Sequence, residues 1–257
     1  MAAKISAAFI LLVSSTITLA AAWTVDSLQR EMAHVGAVEN LQIRISDSAN
    51  GEHAEVHLAI FSTKSCAIRI VDQPTEPRSD LAQVMAKEHF IAGVNGGYFD
   101  PADAPVGLLI SGGKLIAPLR KARLLTGVAI VANARFQILR FGEYSSRRNA
   151  TEALQCGPFL VDRSEAVSGL EATRSARRSF ILAATAERAA IGFCSDVTLA
   201  QLAKILVMVN LAPDLKVQRA LNLDGGSSSA FWFAGEHGPF SISEQKTVRD
   251  FVAIVPK

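Results

Sequence analysis

The densest polar sequence in the chain is Leu221-Asn-Leu-Asp-Gly-Gly-Ser-Ser-Ser-Ala-Phe231. An apolar run ends in Asn222 and Asp224, two glycines (Gly225, Gly226) follow, and then come the hydroxyls of Ser227, Ser228 and Ser229. A strand that opens into a glycine turn presents side chains and bare backbone N–H groups at a cleft, which suits anionic oxygens. Asp-Gly-Gly is also an ordinary connection between strands, so the motif alone weighs evenly between a turn and a site. Its flanks tip the balance. Leu221 and Leu223 before it and Ala230-Phe-Trp-Phe233 after it set the polar group between segments that must be buried.

A second stretch has the same grammar: Val94-Asn-Gly-Gly-Tyr-Phe-Asp100. Asn95, Gly96 and Gly97 end a strand, and Tyr98, Phe99 and a carboxylate follow. Two such turns could face one another across a single pocket, where aromatics beside polar turns would suit a sugar ring. The plainer account places Tyr98 and Phe99 in the core. A third element, Gln155-Cys-Gly-Pro-Phe-Leu-Val-Asp162, is a turn entering a strand, and Arg174, Arg177 and Arg178 stand before Ser179. Arginine pairs bidentately with phosphate or carboxylate. Most charge runs are solvated surface, so one of the three is expected to matter.

Two other motifs lead elsewhere and fail. Ser111-Gly-Gly-Lys114 fits the Ser-x-x-Lys of penicillin-binding enzymes, and Lys246-Thr247-Val248 faintly echoes their Lys-Thr-Gly. The serine of those enzymes opens a helix, whereas two glycines between Leu-Ile runs make a hairpin turn. Ser227 to Ser229 lack the Gly-x-Ser-x-Gly elbow of a serine hydrolase. The five histidines (His34, His53, His57, His89, His237) are scattered, and no Cys-x-x-Cys or His-x-x-His spacing suggests zinc.

The elements that must position these residues are mostly short strands. Glu55–Phe61 and Cys66–Val71 read as a hairpin across Ser62–Ser65, Gly107–Ile110 and Leu115-Ile116 as another across Ser111–Lys114, and Val128–Val131 with Phe136–Phe141 as a third. Ser179–Ala184 and Ala190–Phe193 pair across Glu187-Arg188, and Phe90–Val94, Ala220–Leu223 and Phe251–Val255 are buried strands. Helices are expected over 81–88, capped by Ser79 or Asp80, and over 198–207. Without strict strand–helix alternation the class is α+β: mixed, largely antiparallel β-sheets with a few packed helices in a single domain.

A chain of 257 residues, 49% hydrophobic and 19% charged, excludes disorder, and a net charge of +2 without a basic stripe excludes a dedicated nucleic-acid binder. Lys4, the apolar run Ile5–Leu19 and Ala20-Ala21-Ala22 read as a secretory signal cleaved after Ala22. The expected organisation is therefore a signal peptide over 1–22, an N-terminal extension without a recognised motif over 23–54, and the functional domain over 55–257. The mature protein is expected to be secreted or periplasmic, with no stable membrane insertion after cleavage. In an oxidising compartment Cys66, Cys156 and Cys194 leave at least one thiol unpaired. A Cys156–Cys194 bridge is a candidate, and small buried side chains are the plainer reading.

Taken in order, Asn95-Gly-Gly-Tyr-Phe, Pro105-Val-Gly-Leu108, Cys156-Gly-Pro-Phe-Leu-Val161, Arg178-Ser179, Thr198-Leu-Ala-Gln-Leu-Ala203 and Asn222-Leu-Asp-Gly-Gly-Ser-Ser228 resemble the phosphodiester glycosidase family. The likeness runs from roughly Glu55 to Val255, and its most specific part is Asn-Leu-Asp-Gly-Gly-Ser-Ser. It implies hydrolysis of a sugar-1-phosphodiester on the glycosidic side, releasing sugar and leaving a phosphomonoester on its carrier. It further implies Asp224 as the essential carboxylate, acting as acid/base or nucleophile, and Arg178 as the group that neutralises the leaving phosphate. Asn95, Gly96, Gly97, Tyr98, Asn222, Gly225, Gly226, Ser227 and Ser228 would bind substrate. No cofactor is required by the sequence, and a divalent cation stays open. Glycosidases commonly use two carboxylates, and Asp100 and Glu244 are candidates for the second. The family often has an arginine just before the final strand, where this chain has Lys246-Thr-Val-Arg249. The alternative from another class is a non-catalytic periplasmic carbohydrate- or phosphoglycan-binding protein on the same fold.

Overall fold

The computed structural model describes residues 23–208, 211–212 and 215–257, and the expected signal segment 1–22 lies outside the described residues. Along the chain run β1 (Trp23–Met32), β2 (Val38–Asp47), β3 (Glu52–Ser62), β4 (Cys66–Asp72), α1 (Leu81–Lys87) and β5 (Ala92–Asn95). Next come β6 (Leu109–Ser111), β7 (Lys114–Ala117), β8 (Gly127–Ala132), β9 (Arg135–Arg140), β10 (Ala150–Cys156), β11 (Phe159–Asp162) and β12 (Glu165–Ala166). The remainder is β13 (Ala176–Ala184), β14 (Arg188–Val197), α2 (Leu199–Leu206), β15 (Val217–Asn222), β16 (Phe231–Gly235), β17 (Gly238–Ile242) and β18 (Asp250–Pro256).

The strands form one eight-stranded sheet, ordered β1-β2-β3-β14-β13-β15-β11-β12, and two five-stranded sheets, β7-β6-β10-β8-β9 and β17-β16-β5-β18-β4. The stretch before residue 55, silent in motifs, supplies β1 and β2 and so completes one edge of the large sheet. The expectation of antiparallel sheets holds, but the α+β label needs correction. Only two α-helices occur among the described residues, of seven and eight residues, so the protein is β-rich. Apolar residues recur at helical spacing over these two short segments alone. Elsewhere they alternate or form runs buried on both faces, which is strand behaviour.

Both helices start where side chains can close the first turn. Asp80 accepts the Gln83 N–H at 2.7 Å while Gln83 reaches back to the Asp80 N–H, and Thr198 and Gln201 repeat the arrangement. Leu81, Val84 and Met85 of α1 pack on Trp232, Phe251 and Ala253, covering one face of the β17-β16-β5-β18-β4 sheet. Leu202, Ala203, Ile205 and Leu206 of α2 cover one face of the large sheet. The largest cluster fills the space between sheets, drawing on Phe61, Val94, Leu154, Phe159, Phe193, Leu221, Phe231 and Ile254.

Three of the expected hairpins form. β6–β7 turns through Gly112 and Gly113 at φ of 56° and 79°, and β8–β9 through Asn133 and Ala134 at 50° and 57°. Positive φ at both central positions is the turn that matches strand twist. The third, β13–β14, pairs Ala183 with Ala189 next to its turn. The expected 55–61/66–71 hairpin does not form. β3 is buried along most of its length and pairs with β2 and β14, which leaves no free edge for β4. β4 pairs instead with β18, so Ser62–Ser65 carries the chain from one sheet to another.

Candidate active site

Two glycine turns meet where β5 of one sheet and β15 of another come to their ends. The Asp224 N–H donates to the Gly96 carbonyl at 3.0 Å, and Asn95 Nδ2 donates to the Asp224 carbonyl at 2.8 Å. Asn95 Oδ1 in turn accepts the Ala230 N–H at 3.1 Å. Asn95 is fully buried and spends its amide on backbone, so it ties the two turns together.

The Asp224 carboxyl sits half-buried at this junction, with Oδ1 accepting the Gly225 N–H at 2.9 Å. Burial raises its pKa above the usual carboxylate range, while Ser228, Lys246 and the Gly225 N–H pull the other way. A carboxyl held this way keeps its proton to higher pH than a surface aspartate does.

Arg178, at the start of β13, is 8% exposed. Its Nε donates to the Val197 carbonyl at 3.0 Å and Nη2 to the Arg174 carbonyl at 2.7 Å, with Glu171 at 3.8 Å. These bonds aim Nη1 at the Asp224 turn, 3.7 Å from where a side chain on Gly225 would begin. Burial lowers its pKa, yet an arginine remains cationic. Arg177 is spent on structure, because it bonds the Ser229 and Ser243 carbonyls and lies over Phe193.

Tyr98 and Asn222 form the floor. The Tyr98 hydroxyl donates to the Gly157 carbonyl at 2.6 Å, and Asn222 Nδ2 reaches that carbonyl at 3.1 Å and the phenol oxygen at 3.3 Å. Burial raises the Tyr98 pKa strongly, and the charge of Asp224 adds to it. Tyr98 also packs on the central cluster, so it joins core to site. Gly226 opens a short 3₁₀ turn to Ser228 at φ 65°, and Ser227 is exposed with its carbonyl accepting the Gln245 N–H at 2.7 Å.

Asn222 Oδ1, Ser229 Oγ and Asp250 Oδ2, on the turns and the strand that holds them, are buried without partners. Unsatisfied buried groups are rare in native folds and mark places built for something other than stability.

Neither candidate second carboxylate stands free. Asp100 Oδ1 accepts the Ala102 and Ala104 N–H groups in its own exposed turn. Glu244 Oε1 accepts the Leu81 N–H at 2.9 Å, at the start of α1. The charge preceding β18 is also redistributed. Arg249 is bidentate to Asp72 at 2.6 and 3.2 Å, whereas Lys246, over the Phe99 ring at 4.7 Å, is the cation that acts on Asp224. Sequence reasoning passed over Lys246 as a site residue and missed Asp250 altogether. Asp250's available signal was a single carboxylate opening an otherwise apolar strand. Cys66, Cys156 and Cys194 are all free and buried, so the candidate Cys156–Cys194 bridge is not formed. No group of three or more His, Cys, Asp or Glu residues among the described residues is arranged to hold a metal ion.

A basic cleft of about 1120 Å³, lined by Arg135, Arg163 and Arg219 among others, lies at the opposite end of β13. Arg178 and Ala184 are six residues apart on that strand, or about 20 Å. None of the turn residues reaches that cleft. Among the described residues no helix is long and apolar enough to cross a membrane.

The catalytic domain of zebrafish N-acetylglucosamine-1-phosphodiester alpha-N-acetylglucosaminidase, auto-inhibited by its pro-peptide, is similar in fold: 17% identity over 90% of this chain and 88% of that one, with a TM-score of 0.61. A hypothetical protein from Synechocystis is 14% identical over 86% of this chain and 62% of its own, with a TM-score of 0.58. A putative exported protein from Burkholderia pseudomallei K96243 is 10% identical over 97% of this chain and all of its own, with a TM-score of 0.53. No curated protein matches the sequence. The family model described as phosphodiester glycosidase matches residues 88–255, from the end of α1 through β18 and so across both glycine turns. The chain belongs to the phosphodiester glycosidase family.

Proposed function

We propose that the protein is an exported hydrolase that cleaves the sugar–phosphate glycosidic bond of a sugar-1-phosphodiester and releases the free sugar. The observation that carries this reading is the direct bonding of the two glycine turns, which sets the Asp224 carboxyl and the Arg178 Nη1 beside the same short stretch of backbone. Asp224 is the essential carboxylate, serving as acid/base or as nucleophile at the anomeric carbon. Arg178 receives the charge that grows on the phosphate as the bond to the sugar breaks, and Lys246 adds a second cation at the rim. A phosphate monoester is a good leaving group once its charge is held, so little acid assistance is needed. That agrees with Asp100 and Glu244 being engaged elsewhere. Tyr98 and Asn222 orient the sugar, and the turn Gly225-Gly226-Ser227 offers backbone N–H groups to oxygens. The sequence pattern of residues 1–22, a lysine, an apolar run and Ala20-Ala21-Ala22, together with the fold similarity to a putative exported protein, supports export.

The test is incubation of purified protein with a UDP-sugar and with an aryl sugar-1-phosphodiester, following free sugar. Release that disappears in Asp224→Ala supports hydrolysis. Saturable binding of both compounds without product would assign the chain to the non-catalytic carbohydrate- or phosphoglycan-binding class instead.

A further inference from the structure

Asp250 opens β18, whose other residues up to Val255 are apolar and which lies between β4 and β5. It is 1% exposed and reaches the site from beneath. Its Oδ1 accepts the Gly97 N–H at 2.8 Å, and its own carbonyl accepts the Gly96 N–H at 2.8 Å. A Cβ on Gly96 would lie 1.8 Å from that Oδ1, so the carboxyl occupies the space the glycine leaves open. Oδ2 is buried without a partner. The turn gripped in this way grips Asp224 in its turn, through the Gly96 carbonyl and the Asn95 amide. A clamp of this shape needs only an acceptor. A buried carboxyl with an unmatched oxygen is a costly way to provide one.

We propose that Asp250 is a positioning residue of this site: it clamps the Asn95–Gly97 turn, through it fixes Asp224, and alters both the clamp and the field at Asp224 when it changes protonation state. The proposal rests on the hydrolase reading for its kinetic consequences; its electrostatic ones do not depend on that reading.

The groups facing Asp250 come from every neighbouring element. Asp72 on β4 and Asp224 across the turn disfavour its charge, Arg249 beside it and the Gly97 N–H favour it, and Cys156 at the end of β10 feels it. Burial dominates and pushes the carboxyl up to about 7. Below that pH Asp250 is neutral. Above it the anion grips the Gly97 N–H more strongly and sets a second negative charge near the Asp224 carboxylate.

Asp250→Asn keeps an oxygen for Gly97 and removes the titration, whereas Asp250→Ala removes both. With the purified protein, kcat and KM on an aryl sugar-1-phosphodiester are measured from pH 5 to 9. The Asp224 carboxyl is titrated by carbon-13 NMR in the wild type and in Asp250→Asn. We expect Asp250→Ala to lose about tenfold or more in kcat with little change in KM. Asp250→Asn should recover most of the rate, lose the inflection near pH 7 in kcat, and lose the matching step near pH 7 in the Asp224 carboxyl shift. Wild-type kcat in Asp250→Ala, or a wild-type pH profile and an unchanged Asp224 step near pH 7 in Asp250→Asn, overturns the proposal. If Asp250→Ala does not fold, the Asn variant decides. If the wild type turns over no phosphodiester, the hydrolase reading falls, and the NMR step near pH 7 still decides on Asp250.

Discussion

Replacing Asn95 by alanine should cost both stability and activity, for one reason. Asn95 is fully buried, and its amide satisfies the Asp224 carbonyl at 2.8 Å and the Ala230 N–H at 3.1 Å. Truncation leaves both backbone groups without partners, and each such orphan costs about 1–3 kcal/mol, so the total is about 2–6 kcal/mol. For a domain of this size that corresponds to a melting temperature lowered by about 4–24 °C. Asn95→Asp is the sharper control at neutral pH. It keeps the acceptor for Ala230 but sets an oxygen against the Asp224 carbonyl at hydrogen-bond distance, so it should cost at least as much as alanine. Urea unfolding followed by tryptophan fluorescence, with unchanged m, gives the energies, and kcat on a sugar-1-phosphodiester gives the site. An Asn95→Ala protein within about 1 kcal/mol of wild type and fully active would refute the idea that this amide joins the two turns.

Other perturbations test separate parts of the molecule. Arg178→Ala should lower kcat by about two orders of magnitude, the usual consequence of losing a preorganised donor to developing negative charge. Arg178→Lys should recover little of it, because the bonds to the Val197 and Arg174 carbonyls that orient the guanidinium are lost. Asp250 binds its proton more tightly in the folded chain than its ordinary value of 3.8, up to about 7, so the stability it contributes is full in acid and declines as pH rises through that window. The difference in unfolding free energy between Asp250→Asn and wild type should therefore shift in favour of the variant between about pH 4 and 7, and a shift the other way contradicts the assignment. The three thiols should be silent to Ellman's reagent in the native protein and all react in denaturant, since each is buried and burial raises its pKa.

What could be read from the sequence was whatever is decided locally. The capping residue before 81 and the paired turn residues at 112–113 and 133–134 each carry their instruction within a few positions. The juxtaposition of the two Asn/Asp-Gly-Gly turns followed from a shared pattern, polar residues at the ends of apolar strands. Partner choice was not legible in the same way. Nothing within residues 55–71 says that β3 is interior to one sheet and that β4 must seek β18, about 180 residues away. Asp250 escaped because it follows Lys246 and Arg249 in what looks like a solvated charge run. Its role depends on a glycine 154 positions earlier, at Gly96. Arg249 and Lys246 could be sorted only once Asp72 was seen opposite the arginine.

The insertion of β18 between β5 and β4 also bears on when the site comes into being. The Asn95–Gly97 turn is synthesised early, yet its anchor arrives about 150 residues later and must enter the interior of a sheet rather than add to its edge. A nascent or partly threaded chain therefore has the motifs without the geometry. The two turns can meet in their final geometry only once the closing strand has docked, so the site matures with the last strand of the sheet rather than with its own motifs.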